Sequence, residues 1–221
     1  ELVTPRSILR DVNEGFLYVK NWRGMLYLIL IAALLNFLLA PAGTLMPLMV
    51  TKHFQGGMWQ LSLLESMLGV GIVAGGLTLG VWGGFKNRIL TSLIGVMGIG
   101  IGVMIFGLAP ANLFWVAVVG NAILGFMNPI ANGPLHAIMQ SRIEPEMQGR
   151  VMGLTNSVCL MMMPLSLAIA APVAELIGVQ VWYWLGGGLV IVVAVIAFLV
   201  PEIISLESTK PSIQSAPVPA D

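Results

Sequence analysis

Six apolar runs, each long enough to cross a bilayer and separated by short polar breaks, govern what this chain can fold into. They fall at about 25–50, 60–82, 89–108, 113–134, 151–176 and 181–200. A helix needs about 20 consecutive apolar residues to span the hydrocarbon core. The expected fold class is therefore an all-α integral membrane protein with six transmembrane helices. Composition agrees, with 57% hydrophobic and 9% charged residues, where a soluble domain carries about 25% charge. A surface that faces lipid does not need the missing charge.

The basic residues give the runs a direction. Residues 1–24, the 83–88 loop, the 136–150 loop and the last segment hold nine of the ten Lys and Arg, and Lys52 falls on the opposite side. Six spans place those four segments on one face, and the excess of Lys and Arg assigns that face to the cytoplasm. The expectation is a multi-pass protein of the plasma or inner membrane with both ends cytoplasmic. Five or seven spans would scatter the charges.

Residues 1–24 carry Ile8, Val12, Phe16 and Val19 at helical spacing among Arg6, Arg10, Asp11, Glu14, Lys20 and Arg23. That pattern predicts an amphipathic cytoplasmic linker helix lying at the interface, with Trp22 and Tyr27 as interfacial anchors. Asn36, Pro41, Gly43 and Pro47 predict a bend or break in the outer half of the first span. Residues 201–221, rich in Pro, Ser and charge, are expected to form a disordered cytoplasmic tail. The chain begins at Glu1 with no signal-peptide pattern, and is expected to be part of a longer polytopic protein.

Several function classes find no support. Net charge is zero, so nothing points to nucleic acid. One cysteine, Cys159, sits in an apolar run and reads as a packing residue, and His53 and His136 fall at opposite ends, so no metal site is expected. Neither a phosphate loop, a nucleophile elbow nor an H-E-x-x-H helix occurs, which argues against an enzyme and calls for no cofactor.

The polar groups inside the spans are the candidates for function. Glu65 is the only acid well inside one, on the order of 8 Å along its helix. A carboxylate in hydrocarbon costs roughly 2.5–3.5 kcal/mol. Glu65 either lines a cavity, taking a proton or cation, or snorkels to the outer headgroups. Asn36, Asn121, Asn128 and Asn132 either line a substrate path or hydrogen-bond neighbouring helices. Asn128-Pro129 and Gly133-Pro134 are expected to break the fourth helix. Gly71 and Gly75, Gly76 and Gly80, and Gly98 and Gly102 are spaced four apart, letting helices approach closely, for static packing or for sliding. Fourteen methionines, Met161-Met162-Met163 among them, suit a greasy pocket and serve equally as apolar filler.

Three stretches resemble a known family. They are the amphipathic lead-in Leu9–Asn21, the loop Gly80-Val81-Trp82-Gly83-Gly84-Phe85-Lys86-Asn87-Arg88, and Gln140-Ser141-Arg142-Ile143-Glu144-Pro145-Glu146-Met147-Gln148-Gly149-Arg150-Val151. Together they resemble the C-terminal half of a major facilitator superfamily transporter of the macrolide-efflux and siderophore-exporter type. Asn87 stands where that loop usually has an acid, and Gln148 where an arginine is frequent. The resemblance implies a second, N-terminal six-helix half as partner and a small-molecule substrate. It also implies proton-coupled efflux of amphipathic compounds as the two halves rock about a central site. Lys86, Arg88, Arg142 and Arg150 would then lie at the cytoplasmic gate or simply set topology. A non-transporting sensor or scaffold module and a dimerising half-transporter remain as alternatives.

Overall fold

A computed structural model describes residues 5–204, with side chains from residue 13 onward. The elements are α1 (Pro5–Asn21), α2 (Arg23–Thr44), α3 (Met46–Leu48), a π-helical turn (Met49–His53), α4 (Met58–Trp82), α5 (Arg88–Leu108), α6 (Phe114–Arg142), α7 (Pro145–Leu176), α8 (Val179–Leu199) and α9 (Pro201–Ile204). Six of them, α2 and α4–α8, are long and apolar enough to cross a membrane. The described residues are all helical or loop, so the all-α membrane fold is the observed one.

Short loops alternate the direction of the six spans. One end of the bundle carries Arg23, Lys86, Arg88, Arg142 and Arg150 and is called the basic end below; the other carries Lys52. α5 is the central helix. Of its most apolar stretch 67% is buried, against 17% for α4 and for α7. α5 packs on α6 and α8, α6 on α4, and α2 on α7 and α8.

Glycines set the closest of these approaches. A methyl group added at Gly102 would sit 2.8 Å from the Gly120 carbonyl oxygen, and one added at Gly120 equally close to that of Gly102. Gly100 and Gly187 face each other in the same way across α5 and α8. Backbone-to-backbone contact of this kind replaces the hydrophobic drive that lipid cannot supply.

The loops at the basic end are built from capping chemistry. Gly83 closes α4 at φ +75° and Gly84 follows at φ +78°, a region that favours glycine. The Asn87 Oδ1 then accepts the Ile89 N–H at 2.9 Å, capping α5, while its Nδ2 donates to the Ile204 carbonyl at 3.2 Å. The asparagine that replaces the usual acid therefore has its own task. Gln148 has one as well: its Nε2 donates to the Gln140 and Ile143 carbonyls at 2.6 and 3.2 Å, bracing the turn from α6 into α7.

Three expectations need correction. α6 does not break at Asn128-Pro129 or Gly133-Pro134, but runs unbroken to Arg142. Each proline removes one backbone donor, from the Gly125 and Ile130 carbonyls four residues back, and close packing keeps the helix continuous there: Gly125 lies against the Leu68 backbone of α4, and Ile130 and Ala131 against Gly95 of α5. Trp22 is not an interfacial anchor but is buried in the core of the basic end, with Met25, Ile138 and Ile143. Residues 201–204 are not tail but the helical turn α9, held by the buried side chain of Ile203. The remainder of the expected tail, 205–221, lies outside the described residues, as do the side chains of Ile8 and Val12.

α1 packs on α7 through Glu14, whose carboxylate meets the Arg150 guanidinium at 2.6 Å. Both side chains are about one third exposed (37% and 33%), so solvent screens the pair. Glu14→Gln is expected to lower thermal stability by no more than about 1 kcal/mol. A loss of several kcal/mol in a detergent melting assay would show that the linker helix depends on this pair rather than on its apolar face.

Candidate functional site

α2 packs on α7 and α8 and stands off from α5 and α6, and the gap is a cavity of about 450 Å³. On α5 its wall runs from Ile89 to Phe106, about 25 Å at 1.5 Å per residue, most of the depth of a hydrocarbon core. Leucine, isoleucine, valine and alanine make up most of the lining. Among the described residues no Asp, Glu, Lys or Arg lines it.

The four candidate asparagines meet here. Asn36 stands on one wall, on α2, and Asn121, Asn128 and Asn132 on the other, on α6. Asn121 is buried, its Nδ2 donating to the Leu64 carbonyl at 2.6 Å, which also ties α6 to α4. Asn36 donates to Ala32 O at 2.9 Å within its own helix. Asn132 donates to both oxygens of Asn128, at 3.0 and 3.4 Å. Two lining residues escaped the sequence reading. Ser92 and Tyr183 both face the cavity, and the Tyr183 hydroxyl donates to the Ala42 carbonyl at 2.6 Å. Their signal was present, a hydroxyl inside an apolar run, but Tyr183 sits between Trp182 and Trp184, where it reads as part of an interfacial belt.

Glu65 does not join the asparagines. It is exposed on α4, seven residues and about 10 Å from the helix start, beside Ser62, Ser66 and Gly69, which are exposed too. The glycine pairs divide by face. At Gly71 an added carbon would lie 2.5 Å from the Ala122 carbonyl oxygen, and at Gly75 it would meet the Phe126 backbone. Gly98 lies under Met127 and Gly102 against α6, whereas Gly76 and Gly80 have nothing within 4 Å. Lys86, Arg88, Arg142 and Arg150 gather at the basic end, away from the cavity lining. Among the described residues no three His, Cys, Asp or Glu side chains come together at a metal-binding spacing.

At the end opposite the basic one, α8 is stapled to the broken end of α2. Trp182 Nε1 donates to the Leu38 carbonyl at 3.2 Å, Gln180 contacts the His53 ring, and the His53 Nε2 lies 2.8 Å from the Ala109 carbonyl oxygen. Phe54 packs edge-on against Phe106 and Phe114 just inside.

No family model matches the chain, and no solved structure matches it. Curated proteins do. Macrolide efflux protein A of Streptococcus pyogenes is 34% identical over 201 residues, covering 91% of this chain and 50% of that protein. Macrolide efflux protein A of Enterococcus faecalis is 34% identical over 161 residues, 73% of this chain and 50% of that protein. The chain therefore belongs among the relatives of macrolide efflux protein A, the type of transporter its three motifs resemble, and it spans about half the length of the curated relatives it matches.

Proposed function

We propose that this chain is the C-terminal six-helix half of an exporter of macrolide-like amphipathic compounds that works by alternating access in the cell membrane. The observation that carries the reading is the uncharged cavity, tall enough to reach through most of the bilayer, inside a chain that aligns to half of a macrolide efflux protein. The basic end faces the cytoplasm, a reading that the distribution of Lys and Arg supports. The partner is the N-terminal half. It covers α4 and α7, the two helices that bury least of their surface here, and the open glycine face of Gly76 and Gly80 admits one of its helices closely.

Export is driven by the proton gradient, and Glu65 is the acid that couples to it. Its place supports this role: an exposed carboxylate on a membrane helix, flanked by serines and glycine rather than by bulky apolar residues, belongs against protein or a hydrated path and not against lipid. Everted vesicles containing the complete transporter are expected to accumulate a labelled macrolide when a pH gradient is imposed. Glu65→Gln should abolish the gradient-driven component while leaving downhill macrolide exchange intact. Unchanged uphill transport in that variant removes Glu65 from the mechanism, and no macrolide uptake by the wild type sinks the export reading itself.

A further inference from the structure

At its basic end the slit is lined by a residue that does not belong to a membrane span. Leu28 on α2, Ile89 on α5, Leu135 on α6 and Ala197 on α8 line it there, and Ile203 on α9 joins them. Leu28, Ile89, Ala197 and Ile203 belong at the same time to the buried apolar cluster of the basic end, so the slit ends where that cluster begins. α9 touches α2, α5 and α8, and so bridges the gap where α2 stands off from α5. Its attachment is slight. Val200 leaves α8 in an extended conformation (φ −92°, ψ 108°), as a residue before proline is pushed to do, and Pro201 starts the new turn. Of the four residues in that turn only Ile203 is buried, while Pro201 and Glu202 are exposed. A second hold is polar. The Asn87 Nδ2 donates to the Ile204 carbonyl at 3.2 Å while its Oδ1 accepts the Ile89 N–H at 2.9 Å. Both bonds come from one amide, so α9 is tied to the first turn of α5.

We propose that α9 is a plug local to this half: Ile203 shuts the basic end of the slit, and Asn87 latches it there. The proposal rests on the reading of the slit as the substrate site. Opening it does not require a span to move, because a short turn with one buried apolar side chain opens locally at far lower free energy than the helices around it. Tilting the half as a rigid body leaves Ile203 in place against Leu28 and Ile89, so displacement of α9 is a separate step within the half. Ile203 is part of the wall that the substrate meets, whereas Asn87 is a positioning residue that acts through α9. Its two bonds can be told apart. Asn87→Asp keeps the oxygen that caps α5, but at neutral pH it has no hydrogen to give the Ile204 carbonyl.

The test is side-specific labelling of the complete transporter, freed of native cysteine (Cys159→Ser in this half) and carrying Ala32→Cys as a reporter in the slit. A membrane-impermeant maleimide is added to everted and to right-side-out vesicles at pH 7. In everted vesicles Ile203→Ala is expected to raise the labelling rate about 5-fold or more, and Asn87→Asp about 3-fold, the scale of one lost side-chain contact and one lost hydrogen bond. In right-side-out vesicles neither variant changes the rate, and abundance stays at the parent level in both. Parent-like labelling of both variants in both orientations overturns the plug, and acceleration by Ile203→Ala alone overturns the latch. Equal acceleration from both sides overturns the proposal too, because it marks a loosened fold and not an opening at one end. Acceleration confined to right-side-out vesicles supports the plug and overturns the cytoplasmic assignment of the basic end. The underlying reading fails separately: if saturating macrolide does not slow labelling of Ala32→Cys in any vesicle, the slit is not the substrate site and a plug in it gates nothing.

Discussion

Gly75→Leu is expected to remove the protein from the membrane fraction, with folded material falling roughly 10-fold or more, and its neighbour Gly76→Leu to leave folded protein near the wild-type level. The contrast follows from the two faces of α4. An added carbon at Gly75 meets the Phe126 backbone, which cannot swing aside as a side chain can, whereas at Gly76 nothing lies within 4 Å. Overpacking a well-filled core costs about 1–3 kcal/mol. Against a backbone the cost belongs at or above the upper end of that range, because α4 and α6 must separate along their length and the Asn121–Leu64 hydrogen bond goes with them. Fluorescence size-exclusion of a tagged protein reads the outcome directly. Transport separates the variants in the other sense: Gly76→Leu, although folded, should lose efflux if its face receives the N-terminal half. A well-folded Gly75→Leu would contradict the α4–α6 packing, and a fully active Gly76→Leu would contradict the proposed mating surface.

The second large effect concerns the slit between α2 and the α5–α6 wall. Ala32→Phe and Ala40→Phe each place a ring in the space that the cavity occupies, from lining positions that are only partly buried. Since the ring enters a void, the protein should remain folded, with abundance within about twofold. Efflux should fall by at least about 10-fold, which corresponds to only about 1.4 kcal/mol of lost substrate binding. Growth on macrolide of a sensitive strain expressing the complete transporter measures one quantity, and immunoblotting of its membranes the other. Undiminished efflux from both variants would show that the substrate passes elsewhere.

Much of this architecture was legible because lipid leaves so few choices. Apolar runs of the right length became the six spans, and the Lys and Arg pattern marked one end of the bundle. What was not legible depends on neighbours. A proline rule applied to α6 alone predicts a break, and only the close packing of Leu68 on α4 and Gly95 on α5 against it shows why the helix continues. The asparagines could be named from the sequence, yet their meeting in one cavity depends on α2 standing off from α5 and α6, and helix separation leaves no mark on a single strand of letters. Glu65 looked like their companion by depth alone; its rotation about α4 puts it on another face. The same rotation divides a glycine pattern that looks uniform in sequence into pairs gripping α6 and a pair facing outward.

The absence of charge from the cavity lining has an electrical consequence. A side chain that carries charge through the membrane field exchanges about 2.3 kcal/mol for each 100 mV, and a cavity walled by asparagine, serine, tyrosine and aliphatic side chains carries none. If this half tilts as proposed, the walls of the slit move without doing work against the membrane potential. Under that proposal any voltage dependence of the cycle originates in a group outside the slit, and Glu65, exposed on α4 and absent from the lining, is the acid the proposal assigns to it.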